Sequence, residues 1–328
     1  MQQLPTMAII SNCTASVIQD AAASLIAGNL VAFPTETVYG LGADATNEKA
    51  VSRIYEVKGR PTDHPLIVHI SSINSLNKWT KDIPEYAIKL ARAFWPGPLT
   101  LILPRTELAK DFITGAQDNV GIRVPSHPLA LSLLKEFESF GGFGVAAPSA
   151  NRFGKVSPTS AQAVQEELSG YLTPNDLILD GGLCQIGIES TIIDCTKQSP
   201  QILRPGGVTQ EQIEKVLDFE LTQSSFTSAN KIKAPGLLDS HYSPNAKIFL
   251  SGAAQAGDGF LALSSIDTPE GAIRLATPKN NEEYAHQLYT AFRLADFKRL
   301  QRVFVVPPEN EGIAVAINNR LIKAAYHI

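Results

Sequence analysis

Lys58-Gly59-Arg60-Pro61 places two cations around a glycine, directly after a stretch with helical spacing. Ser149-Ala150-Asn151 places a hydroxyl and a carboxamide directly after the apolar run Val145-Ala146-Ala147. Cations and short polar donors at the ends of regular elements are what holding a polyphosphate requires. The glycine between the cations lets backbone approach a ligand. The same lysine and arginine also suit a solvated helix end, where positive charge complements the dipole. Arg123, inside Val120-Gly121-Ile122-Arg123-Val124-Pro125, needs an anionic partner if it is buried. That partner is either a structural carboxylate or a substrate carboxylate. Arg204, in Ile202-Leu203-Arg204-Pro205-Gly206, poses the same question.

Three further segments carry hydrogen-bonding side chains. Phe33-Pro34-Thr35-Glu36-Thr37-Val38-Tyr39-Gly40-Leu41-Gly42 either lines a pocket or forms a turn held by threonine hydroxyls. Gly187-Ile188-Glu189-Ser190-Thr191 opens a strand candidate. His241-Tyr242-Ser243-Pro244 ends a loose segment, as a docking element or as an exposed loop. There is no GxxxxGK[ST] phosphate loop, no GxSxG elbow and no HExxH or similar metal spacing among the six histidines. Cys13, Cys184 and Cys195 form no CxxC pair, so they read as small buried hydrophobes in a reducing compartment.

The elements that must position these residues follow from periodicity. Val17, Ile18, Ala21, Ala22, Leu25 and Ile26 predict a helix that stops at Gly28-Asn29. Leu30 to Phe33 predicts a strand ended by Pro34, and Thr35 to Ala45 a glycine-bearing loop. Asn47 caps a second helix, which Gly59 and Pro61 stop after Lys58. Further strands are expected at 66–70, 99–103, 120–124, 144–147, 177–179, 191–194 and 202–203. Helices are expected at 84–94, 128–137, 161–168 and 211–217. Short strand-to-strand gaps favour a mixed over a purely parallel sheet. The Ser-, Thr-, Asn-, Gly- and Pro-rich stretch 221–244 reads as a linker. Strands at 247–250, 260–263 and 303–306, with helices at 282–297 and 313–325, make residues 245–328 a small second α/β unit.

A length of 328 residues suits one large or two moderate domains. A net charge of −4 argues against a protein that grips nucleic acid mainly through backbone charge, and leaves room for a local basic pocket. The N-terminus MQQLPTMAII lacks the charged and apolar regions of a signal peptide, and no run approaches the roughly 18 apolar residues of a membrane span.

Taken in order, FPTETVYGLG, KGRP with the following HPLIVHI, FWPGPLTLIL, VGIRVP, VAAPSAN, IESTIID, ILRPG and HYSP resemble the YrdC-type threonylcarbamoyl-AMP synthases. The resemblance covers about Ala21 to Pro244. Gly312-Ile313-Ala314-Val315-Ala316-Ile317-Asn318-Asn319-Arg320-Leu321 resembles the C-terminal domain of that family's longer, two-domain branch. The resemblance implies an α/β fold: a twisted mixed parallel/antiparallel sheet with flanking helices (1–220), a linker or lid (221–244) and a small C-terminal α/β domain (245–328).

It also implies a reaction. L-Threonine, bicarbonate and ATP, with Mg²⁺ on the phosphates, give L-threonylcarbamoyl-AMP and pyrophosphate. Downstream tRNA threonylcarbamoyl-transfer machinery then modifies an adenosine. Thr35, His69, Arg123, Ala147 and Ser190 are expected to hold threonine. Lys58, Arg60, Thr62, Asn119, Ser149, Asn151, Ser157 and Arg204 are expected on ATP, with His241 and Tyr242 folding over the site from the linker. Lys58 and Arg60 are the expected stabilisers of transition-state charge, and no residue is expected to act as nucleophile or protein metal ligand. A cytoplasmic enzyme, without membrane contact and with at most weak direct tRNA binding, is the corresponding expectation. A hydrogenase-maturation relative is disfavoured because its cysteine clusters are missing, and a non-catalytic RNA-binding module by the acidic net charge.

Overall fold

Caps and apolar spacing set the first helices of the computed structural model, which describes residues 9–221, 234–236 and 242–325. α1 (Ala15–Ile26) starts at Thr14, whose side chain accepts from the Val17 N–H, and buries Ile18, Ala21, Ala22 and Leu25. α2 (Glu48–Lys58) starts at Asn47, whose side chain accepts from the Ala50 N–H. It stops at Gly59, which takes the left-handed conformation (φ 60°) that ends helices and favours glycine.

Ten strands form the larger sheet: β1 (Ile9–Ile10), β2 (Val31–Phe33), β3 (Gly40–Asp44), β4 (Ile67–His69), β5 (Leu99–Pro104), β6 (Asn119–Arg123), β7 (Val145–Ala146), β8 (Leu177–Leu179), β9 (Thr191–Asp194) and β10 (Gln201–Arg204). Their order is β1-β8-β2-β3-β7-β4-β6-β5-β9-β10. The sheet is mixed, as expected: β4 and β6 run parallel, for example, while β5 and β6 run antiparallel. The other helices of this unit are α3 (Leu76–Trp79), α4 (Glu85–Phe94), α5 (Asp111–Thr114), α6 (Pro128–Ser139), α7 (Ala161–Leu168) and α8 (Gln210–Leu217).

Strand alternation assigns side chains to the two faces. Val31 and Phe33 pack with α1 and α6 residues such as Leu25, Leu133 and Phe137, whereas Ala32 joins the large core that contains Val51, Ile54, Leu90 and Ile213. Val68, Ile122 and Ile193 face that large core too. Their neighbours Ile67 and Ile192 point the other way, into a small apolar cluster with Ile102, Leu203 and Ala234 of the linker. One half of this face is therefore covered by α1 and α6, while Ala234 packs on the other half.

The smaller unit is a four-stranded parallel sheet, order β11-β14-β12-β13, made of β11 (Lys247–Phe249), β12 (Gly259–Leu261), β13 (Ile273–Ala276) and β14 (Arg302–Val305). α9 (Asn281–Phe297) and α10 (Ala314–Ala325) complete it. Its core holds Ile248, Tyr284, Phe292 and Ile317, but also Val38, Val156 and Ile188 of the larger unit, so apolar contact runs across the junction.

Three strands differ from the expectations. Thr35–Ala45 is not a continuous loop: Gly40–Asp44 is β3, returning antiparallel to β2. Gly42 permits this, because a Cβ there would stand 2.7 Å from the Phe33 ring. Ile273–Ala276 is a strand that no apolar run announces. Its Arg274 interrupts the run and donates to the Ala262, Leu263 and Ala276 carbonyls. β1 is too short to carry a periodic signal. Among the described residues no helix is long and apolar enough to cross a membrane.

Candidate functional site

The half of the sheet face on which Ala234 packs borders a cavity of about 50 Å³, room for about three or four waters. The β2–β3 hairpin contributes Thr35 and Tyr39, β4 His69, and β6 Arg123. Ala147 and Ser149 follow β7, Glu189 and Ser190 precede β9, and Arg204 ends β10. Arg60 lies just beyond α2, and Pro235, Gly236 and Tyr242 close the opposite side.

Three arginines converge here, each buried yet fixed by backbone or side-chain acceptors. Arg60 donates to the Pro65 carbonyl (2.9 Å), and its guanidinium carbon is 5.6 Å from the Phe153 ring centre. Burial brings its pKa down to about 10. Arg204 donates to the Ser190 carbonyl (2.8 Å) and to the Pro235 carbonyl (3.1 Å). Arg123 donates through Nη2 to Glu36 Oε1 (2.7 Å) and to Thr37 Oγ1 (2.8 Å). The second Glu36 oxygen accepts from the Ser126 N–H (3.0 Å). Of the two partners the sequence allows for Arg123, the structural carboxylate is therefore present. Among the described residues nothing accepts from Arg123 Nη1.

Lys58 is not among the residues that line this cavity. Its ammonium is buried, donating to the carbonyls of Ser149 (2.6 Å) and Asn151 (2.5 Å). Burial, and then the neighbouring Arg60, hold its pKa well below the ordinary lysine value. The Asn151 amide donates to the Arg152 and Lys155 carbonyls, and its Oδ1 is buried without a partner among the described residues. The Ser157 hydroxyl donates to Glu189 (2.7 Å). Asn119 borders an adjoining cavity that shares Ile67 and Pro235 with the first. Thr62 is exposed, away from both. His241 lies outside the described residues.

On the remaining wall, Thr35 Oγ1 donates to the Val38 carbonyl or shares a hydrogen with Thr37 Oγ1, each at 2.7 Å. The Ser190 and Thr100 hydroxyls are 2.8 Å apart. His69 is buried, and its Nδ1 has no partner among the described residues. Burial and then Arg123 hold its pKa at about 3, so the imidazole is neutral.

Sequence reasoning did not assign a role to Glu36, Glu189, Tyr289 or Arg320. Glu189 Oε2 accepts from Arg320 Nε (2.8 Å) and Tyr289 Oη (3.0 Å), both in the smaller unit. Burial pushes the Glu189 carboxyl up, but Arg320 and Arg204 outweigh it and bring the pKa down to about 2. A signal for Arg320 was present: it interrupts the buried α10 stripe Ala316, Ile317, Leu321, Ala324, as Arg123 interrupts its strand. Among the described residues no group of three or more His, Cys, Asp or Glu is placed to hold a metal ion.

Residues 23–206 match the Sua5–YciO–YrdC family model, described as telomere recombination. Residues 208–326 match the model described as threonylcarbamoyl-AMP synthase, C-terminal domain. The chain is 42% identical to threonylcarbamoyl-AMP synthase of Pyrococcus abyssi, over 94% of each chain. It is 40% identical to the Bacillus subtilis protein of that name, over 94% of this chain and 92% of the other. The crystal structure of P. abyssi Sua5 complexed with L-threonine superposes with a TM-score of 0.86 at 39% identity, covering 97% of this chain and 98% of that one.

Proposed function

The chain belongs to the threonylcarbamoyl-AMP synthase family, in its two-domain form, and on that footing we propose that it joins L-threonine, bicarbonate and ATP into L-threonylcarbamoyl-AMP. The observation that carries the proposal is the convergence of Arg60, Arg123 and Arg204 with Thr35, Ser149 and Ser190 on one cavity. All three reactants are anionic where they must meet, and three buried guanidiniums supply the opposing charge.

Arg123 is assigned to the threonine carboxylate. Glu36 fixes one edge of its guanidinium and leaves Nη1 for the ligand. Thr35, Ser190 and the neutral His69 surround the same region, with Ala147 beside them. Arg60 and Arg204 are assigned to the triphosphate, together with Ser149. Lys58, expected as a direct charge stabiliser, is assigned instead to holding the Ser149–Asn151 backbone in place. Asn119, Asn151 and Ser157 are kept as ATP-side residues, and Tyr242 as a wall of the closed site.

The threonine amine attacks the bicarbonate carbon and water departs, leaving a carbamate. A carbamate oxygen attacks the α-phosphorus of ATP, and the bond to pyrophosphate breaks. No residue needs to become covalently attached, so positioning and charge neutralisation supply the catalysis. Mg²⁺ arrives with ATP, held chiefly by phosphate oxygens and water. In this reading residues 1–220 form the catalytic unit, 221–244 the linker and 245–328 the smaller unit. The enzyme acts in the cytoplasm and hands its product to the machinery that modifies adenosine in tRNA, with weak direct tRNA binding at most.

Radiolabelled bicarbonate tests the reading. Label should enter an AMP-containing product only when L-threonine and Mg-ATP are both present. Label entering without threonine, or not at all, would count against it.

A further inference from the structure

We propose that Arg320, on α10 of the smaller unit, is a positioning residue of the pocket: it neutralises and orients Glu189, so that the smaller unit completes the ATP side. The proposal rests on the reaction given above. Glu189 lines the cavity whose arginines are assigned above to the anionic substrates. An unneutralised carboxylate there repels the substrates and is costly to bury.

Every element packed around Glu189 contributes. Ser157 donates to Oε1 (2.7 Å), Tyr289 of α9 reaches both oxygens (3.2 and 3.0 Å), and Arg320 donates to Oε2 (2.8 Å). Arg204, Tyr242 and Tyr289 are the other titratable groups close enough to act on it or on its partners. Arg320 is fully buried. Through Nη1 it also donates to the Pro205 carbonyl (2.9 Å), directly after Arg204. Its guanidinium carbon lies 5.1 Å from the Tyr242 ring centre, and that ring stacks on Tyr289 at 5.8 Å. One side chain of the smaller unit thus contacts Glu189, the end of β10 and the ring that closes the cavity.

The consequence is a specific kinetic pattern. In Arg320→Met, Glu189 keeps neutral donors and loses its closest cation. The KM for ATP should rise about tenfold or more, with the KM for threonine changing less than about threefold. The ATP defect should shrink as pH falls from 8 to 6, because the uncompensated Glu189 then takes up a proton. Wild-type ATP KM should lack that dependence. Glu189→Gln combined with Arg320→Met removes both charges and should recover most of the ATP affinity, even if Arg320→Met alone fails to fold. An unchanged ATP KM in Arg320→Met overturns the proposal, as does a folded double variant that keeps the full ATP defect. Threonine-dependent pyrophosphate release by the wild-type protein is measured alongside. Its absence refutes the reaction itself and is distinguishable from a failure confined to the variants.

Discussion

The Lys58 ammonium donates to the Asn151 carbonyl at 2.5 Å across 93 residues of chain, and to the Ser149 carbonyl at 2.6 Å. The two polar segments that stand apart in the sequence are therefore one unit, with a buried cation as the tie. Lys58→Met removes both bonds and leaves two carbonyls underserved. It should cost about 2–4 kcal/mol of stability and impair ATP use more than threonine use. Thermal unfolding together with ATP and threonine KM values checks this. A stable variant with a threonine-only defect would contradict it.

Glu36 is the corresponding tie on the other side. Its two oxygens are taken by Arg123 and by the Ser126 N–H. Glu36→Gln keeps the shape but removes the charge that fixes Arg123, so its guanidinium should lose its single orientation. Threonine affinity by calorimetry should fall about tenfold, while ATP affinity changes less than about threefold. Equal losses for both ligands would mean that the division of the cavity is wrong.

His69 sets a pH dependence of stability. Its pKa is held at about 3, against an ordinary value of 6.5. Because the folded-state value is the depressed one, the contribution is fully present above pH 6.5. It is lost progressively as pH falls toward 3, since the unfolded chain takes up a proton that the folded chain refuses. Between pH 7 and 5, His69→Gln should lose less stability than wild type, by on the order of 1–2 kcal/mol. Denaturant unfolding at several pH values measures it. Parallel curves for the two proteins would show that His69 is not buried in neutral form.

Much of this architecture was legible in the chain, for identifiable reasons. α2 was bounded by Asn47 and Gly59, residues whose local chemistry stops and starts helices whatever surrounds them. The strand around Arg123 showed as an apolar run broken by one charge. β3 did not show, because Gly40 and Gly42 suggest a loop until Phe33 is known to occupy the space beside Gly42. β13 was hidden by Arg274, which satisfies neighbouring carbonyls. The site divided along the same line. Residue types picked out Arg60, Arg123 and Arg204, which line the cavity, but not the directions their side chains take. Lys58 turned inward because two carbonyls from a distant segment meet it, and Glu189 gained its importance from Tyr289 and Arg320, 100 and 131 residues downstream.

The central claim is that Arg60, Arg123 and Arg204 gather three anions for adenylate formation. Pyrophosphate release from Mg-ATP and bicarbonate, with and without L-threonine, tests it most directly. Release should require both threonine and bicarbonate, and Arg123→Ala should displace it to higher threonine concentration. Release at the same rate without threonine, or none with all three substrates present, would contradict it.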